Sequence, residues 1–202
     1  MTIERRAKLR PVRVEERSGG GRTLSGYAAV FYDPSNPDTE YEMWEGCCER
    51  VSPGAFNRAI AEMQDVQCCF NHDSDSLMGR TASRTCRLSV DNVGLKYETD
   101  LPTVTDPANL VELIHRGDIA GSSFSFIARS VTWSVDQDGC EVRTLNDVDL
   151  VDVGPVTNPA YKATTTAARS AHATVEQERR EWQRKRDQDE VDVVKSQMTL
   201  DN

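Results

Sequence analysis

Between Leu24 and Tyr161 the chain alternates short runs of period-two hydrophobicity with two brief stretches at helical spacing. "LSGYAAVFY" reads as a strand, and Pro34 and Pro37 mark the loop that follows it. In "VSPGAFNRAIAEM", Ser52 is placed to cap a helix with Pro53 at its first position, and Ala55, Phe56, Ala59, Ile60 and Met63 recur at helical spacing. "VQCCFNHD" is a strand that ends in a polar cluster. "RTCRLSV" and "LKYETDL" flank the turn "DNVG" as a hairpin, Leu88 and Val90 alternating with polar neighbours on one arm and Leu95 and Tyr97 on the other. "TDPANLVELIHRGD" predicts a second helix, with Asp106 as cap, Pro107 at the first position, Leu110, Val111, Leu113 and Ile114 on the apolar face and Gly117 as the stop. Two further strands are predicted, "SSFSFIARSVTWSV" and, after the turn "DQDG", "VDLVDVGPVTNPAY", the latter with Leu150 and Asp152 on one face and Val151 and Val153 on the other. Many short strands and two brief helices predict a mainly β protein with peripheral helices (α+β), its sheet closed into a mostly antiparallel barrel.

After Tyr161 the pattern changes. "HATVEQERREWQRKRDQDEVDVVKSQ" is helix-forming but poor in apolar anchors, so a solvated or partly disordered tail is expected over residues 169–202. Residues 1–22, a basic arm carrying the first strand, hold seven Lys or Arg against three Glu, whereas residues 169–202 hold seven basic and eight acidic residues. The chain's net charge of -9 is therefore concentrated in the domain in the middle, residues 23–168, which by itself carries -12. Such a balance argues against a general nucleic-acid binder, which needs clustered cations against phosphate. No window approaches the run of about 20 apolar residues that a membrane span needs, and "MTIERRAKLR" lacks the apolar segment of a signal peptide, so a cytoplasmic protein is expected. The six cysteines include two adjacent pairs, Cys47-Cys48 and Cys68-Cys69, which is neither a zinc spacing nor a disulfide framework, and reduced thiols are expected.

Hydroxyl nucleophiles need a neighbouring base and a group that orients the base. Of the three histidines, His172 lies in the charged tail and His115 in the last turn of a helix, where a cation meets the helix dipole. His72 ends an apolar strand, where a side chain can project from a rigid scaffold into a cleft. In "GSSFSF" alternation sends Phe124 and Phe126 to one face, the core, and Ser123 and Ser125 to the other. Gly121 would leave the peptide N–H groups near Ser122 and Ser123 free as oxyanion donors if that segment stood outside the sheet ladder.

In their order along residues 24–165, "GYAAVF", "VSPGAF", "NHD" with "LMGR" after it, "LKYETDL", "RGDIAGSSFSF" and "LVDVGPVTNPAY" resemble the prohead, or capsid-maturation, serine proteases of tailed bacteriophages, whose fold is similar to the herpesvirus assemblins. The resemblance implies a closed β-barrel of the assemblin type, no cofactor and no metal. It implies His72 as general base, Ser123 as nucleophile and Asp152, where the family usually has glutamate, as the orienting acid. Ser125 stands in place of a usual glycine, as a neighbour of the substrate groove or a second candidate nucleophile, and Gly154 in place of a usual serine. The substrate it implies is the scaffold region of the major capsid protein, cleaved inside the assembling procapsid in the host cytoplasm, followed by the protease itself; the herpesvirus likeness implies a homodimer.

Two other readings compete. A scaffold-like capsid-assembly protein with a dead site would account for an acidic domain with a charged helical tail, but not for His72 and Ser123 both standing at the matching positions. A cysteine enzyme built on Cys69 and His72 suffers from their spacing, which on a strand sends them to opposite faces. The run "HDSDS" offers one histidine beside scattered carboxylates, the composition of a solvated loop more than of a metal site.

Overall fold

The computed structural model describes residues 2–103, 107–157 and 166–200. Its strands are, in chain order, β1 (Glu4–Leu9), β2 (Arg13–Glu16), β3 (Arg22–Val30), β4 (Tyr41–Trp44), β5 (Cys47–Val51), β6 (Gln67–Cys69), β7 (Leu77–Arg80), β8 (Cys86–Val90), β9 (Gly94–Asp100), β10 (Gly121–Val135) and β11 (Glu141–Val156). The helices are α1 (Asn57–Ala61), α2 (Pro107–His115) and α3 (Thr166–Leu200). The chain divides into two compact units, Ile3–Lys162 and Ala163–Asn202.

The first unit holds two open sheets, not the closed barrel expected from the sequence. One runs in the order β1-β10-β11-β5-β4, with β6 attached to β11 and β7 to β6; the other runs β2-β3-β9-β8. Both orders end in unpaired edges among the described residues, β1 and β4 in one sheet and β2 and β8 in the other. The seam falls where the chain crosses between sheets from β1 to β2, and Pro11 in that crossing has no N–H to give to a ladder.

Every strand expected from the alternation is present, and β8 and β9 form the expected hairpin in register Leu88↔Tyr97. The first helix is shorter than its start signal implies. The Ser52 N–H donates to the Leu145 carbonyl at 3.0 Å, continuing the parallel ladder of β5 on β11. Residues 53–56 are turns, and the helix begins at Asn57 without a side-chain cap. In α2, Leu110, Val111 and Ile114 are buried as their spacing predicts, and Gly117 follows with a φ of 81°; the Asp106 cap lies outside the described residues. Phe56, Phe124 and Phe126 make the centre of the core, Phe56 meeting Phe124 edge-on at 5.7 Å and Phe124 stacking on Phe126 at 4.8 Å.

Sequence alternation gave no hint of how the N-terminal strand is held. Glu4 and Arg6 of β1, Glu49 of β5 and Arg143 of β11 form one charge cluster beneath the sheet. Arg143 Nη1 donates to Glu49 at 2.6 Å and to Glu4 at 2.9 Å, and Arg6 Nη2 donates to Glu49 at 2.9 Å and to Glu4 at 3.0 Å. Arg143 and Glu49 are wholly buried.

The second unit is described by α3 alone. The segment expected to be helix-forming and solvated is one helix of 35 residues, most of its described side chains exposed. Its exposed faces carry contacts at one-turn spacing, Gln177 to Glu181 at 3.1 Å and Gln188 to Asp192 at 2.9 Å, with the Arg186 guanidinium 5.0 Å over the Trp182 ring.

Asp149 of β11 joins that strand to α1, accepting from Arg58 at 2.6 Å and Gln64 at 2.9 Å, and also pairs with Arg129. The hydrogen bond from Arg129, then those from Arg58 and Gln64, hold its carboxyl well below the usual carboxylate range. A group depressed in the folded state stabilises above its unfolded pKa of about 4 and loses that contribution as the pH falls. Asp149→Asn is therefore expected to lower Tm at pH 7, with the gap from the native chain shrinking as the pH drops below about 4. A gap that is constant from pH 7 to pH 2 would show that the charge of Asp149 is not what stabilises.

Candidate active site

β10 and β11 lie side by side, with Ser123 opposite Gly154 and Ser125 opposite Asp152. This register puts a hydroxyl and a carboxylate on one face of the sheet. β6 pairs with β11 in parallel, Gln67 opposite Asp152, and so ends beside them. After Cys69 the chain tightens into a 3-10 turn in which Asn71 and His72 are both left-handed, with φ of 54° and 59°. Asparagine and histidine tolerate this region better than most side chains. The turn is tied to the end of β11, where Asn71 Oδ1 accepts the Thr157 N–H at 2.9 Å.

The turn brings the His72 ring between β10 and β11. Its Nε2 lies 2.7 Å from Ser123 Oγ, and its Nδ1 contacts the Asp152 carboxylate. All three side chains are nearly closed off from solvent; Ser123 is 2% exposed. Asp152, although a short acid, reaches Nδ1 directly. Gly154 explains how the backbone comes so near: a Cβ at that position would stand 2.1 Å from the Cys69 carbonyl oxygen, so any side chain there would push β6, and His72 with it, away from β11.

The remaining residues singled out from the sequence fall in different places. Ser125 belongs to the cluster, its Oγ 3.0 Å from His72 Nδ1, the ring nitrogen that also meets Asp152 and not the one that faces Ser123. Ser122 is on the opposite face, buried between the sheets with its Oγ 3.0 Å from the Tyr97 hydroxyl. Gly121 and Ser122 lie within β10, paired with β1 on one side and β11 on the other, so the break in the ladder that a free oxyanion donor requires is not found there. Cys69 is buried, and burial, followed by the Asp152 and Asp73 carboxylates, pushes its thiol up to about 11. Its Sγ donates to Gln67 Oε1 at 3.7 Å instead of meeting His72, and a thiol disfavoured as thiolate is a poor nucleophile, so the site does not support the cysteine reading. In "HDSDS", Asp73 caps its own 3-10 turn by accepting the Asp75 N–H at 3.0 Å, the role of a loop residue. His115 on α2 and His172 on α3 are exposed.

Three participants had no signal in the hydropathy pattern. Asn71 anchors the turn; the Arg6 carbonyl accepts from Ser123 Oγ at 2.8 Å; and Arg5 Nε donates to Ser125 Oγ at 3.2 Å. Two of them lie on β1, whose sequence "ERRAKL" carries four charges in six residues. Only the asparagine, a residue suited to left-handed turns, could have been noticed in advance.

A hydroxyl, an imidazole and a carboxylate in hydrogen-bonded series form the working arrangement of serine hydrolases. Residues 10–178 match the family model of the caudovirus prohead serine proteases, and the chain belongs to that family; it is a serine protease. Among solved structures it is similar to the bacteriophage T4 capsid assembly protease gp21, with a TM-score of 0.51 at 9% identity, covering 77% of this chain and 97% of that one. At that identity the likeness speaks for the fold. No match to a curated protein was found.

Asn71→Ala removes both the tolerance for left-handed backbone and the tie to Thr157, and is expected to cost about 1–3 kcal/mol in denaturant unfolding. Asn71→Gly keeps the backbone freedom and should lose less. Equal losses in the two would show that backbone strain at this turn does not decide its stability.

Proposed function

We propose that Ser123 is the nucleophile, His72 the general base and Asp152 the group that orients it, in a peptide-bond hydrolysis through an acyl-enzyme. The observation that carries this reading is the unbroken series Ser123 Oγ, His72 Nε2, His72 Nδ1, Asp152. With Nδ1–H held by the Asp152 carboxylate, Nε2 is bare and takes the Ser123 proton as Oγ attacks the scissile carbonyl carbon. The imidazolium so formed is stabilised by Asp152 and returns the proton to the leaving amine; water, activated in the same way, releases the acyl group. The Arg6 carbonyl offers the hydroxyl a second acceptor.

The substrate we propose is the scaffold region of the major capsid protein, cleaved inside the assembling procapsid in the host. The family and the similarity to a capsid assembly protease support that choice. The protease domain, expected at residues 23–168, takes in the N-terminal strands as well, since β1 and β2 belong to its two sheets, and the charged segment from residue 169 carries the enzyme to the scaffold. The enzyme removes this segment itself, between about Ala163 and Glu178, a stretch that lies partly outside the described residues.

Co-expression with the capsid protein of the same phage, followed by intact-mass measurement, tests these assignments. Ser123→Ala and His72→Ala are expected to leave the capsid protein uncut, a loss on the order of a million-fold in turnover for such groups. Asp152→Asn should fold but turn over about ten-thousand-fold more slowly. The tail should stay attached in Ser123→Ala and be trimmed in the native chain. Processing by Ser123→Ala together with its loss in Ser125→Ala would move the nucleophile by two residues; a tail lost equally fast without Ser123 would assign the trimming to another protease.

A further inference from the structure

Ser125 is wholly buried, and its hydroxyl has two partners that the triad does not account for. Its Oγ lies 3.0 Å from His72 Nδ1 and receives Arg5 Nε–H at 3.2 Å. A guanidinium can only donate, so one lone pair of Oγ is committed to Arg5. The Nδ1–H of the productive tautomer then has acceptors on two neighbouring strands, the Asp152 carboxylate on β11 and the Ser125 hydroxyl on β10, residues that stand opposite each other in the ladder.

We propose that Ser125 is a positioning residue for His72, and that Arg5 fixes the Ser125 hydroxyl in the orientation this requires. The proposal rests on His72 acting as base for Ser123. A single carboxylate restrains the imidazole along one line and leaves the ring free to tilt about it. A second acceptor on the adjacent strand removes that tilt, which keeps Nε2 aimed at Ser123 Oγ. Arg5 prevents the hydroxyl from rotating away, because any other rotamer abandons a charge-assisted hydrogen bond. Because Arg5 belongs to β1, the aim of the base depends on the N-terminal strand being seated.

A fluorophosphonate probe tests this without a known peptide substrate: Ser123 Oγ displaces fluoride from phosphorus while His72 takes its proton. On the full chain, Ser125→Ala is expected to lower the labelling rate about five- to ten-fold, as for loss of one hydrogen bond. Ser125→Thr, which keeps the hydroxyl, should recover most of the rate. The His72 Nδ1–H proton resonance should move in Ser125→Ala and return in Ser125→Thr, a signature that packing alone would not produce. Arg5→Met leaves Ser125 in place and should slow labelling several-fold at unchanged Tm. Native labelling rates and an unmoved resonance in both Ser125→Ala and Arg5→Met, with Ser123→Ala unlabelled, would overturn the positioning role and leave the triad standing. Labelling of Ser123→Ala at the native rate would instead overturn the triad itself.

Discussion

A guanidinium without access to water sits at the root of this structure. Arg143 is held in the interior by Glu49 and Glu4, and Arg6 closes the cluster by pairing with the same two carboxylates. Each of these charges is costly to bury alone, and leaving one uncompensated costs about 3–5 kcal/mol in comparable buried pairs. The cluster is satisfied only when β1, β5 and β11 are all in register. It thus specifies where the first six-residue strand must lie, on an edge that hydrophobic burial would hold weakly, since Ile3 and Leu9 at its ends are exposed. Once β1 is seated, the Arg6 carbonyl is against Ser123 and the Arg5 side chain is against Ser125.

The site is assembled from two kinds of restraint. Ser123 and Asp152 are placed by the regular ladder of β10 on β11, where register alone determines who faces whom. His72 is placed by an irregular feature, two successive left-handed residues pinned to the end of β11 by Asn71. Gly154 lets the two meet by allowing the backbone of β6 to lie against that of β11. The family match spans residues 10–178, and within it the side chains of Ser123, His72 and Asp152 form the hydrogen-bonded series.

The parts of the fold legible in the sequence were those whose burial has a period. Phe124 and Phe126 alternate with Ser123 and Ser125 in the structure as they do in the chain, and the two faces have the expected fates. The N-terminal strand was hard to read because its inward residues are Glu4 and Arg6, charges that pattern reasoning assigns to solvent. Closure could not be read either, since whether two edges meet depends on twist and crossing points and not on alternation. The expected barrel is in fact two sheets with open edges. Of the site, His72, Ser123 and Asp152 were named through the family resemblance. Ser122 was grouped with them by its neighbours in sequence, although period two places it on the other face, against Tyr97.

Ser123 lies on a strand with both edges already taken, by β1 on one side and β11 on the other. A polypeptide therefore cannot dock by adding itself as a strand beside Ser123, the mode that many peptide-mimicking drugs exploit. It has to come down onto the face of the sheet, where side chains and not main-chain amides do the discriminating. Compounds built as extended backbone mimics would find no ladder to join beside Ser123, so inhibitors of such an enzyme would have to draw their selectivity from side-chain contacts on that face.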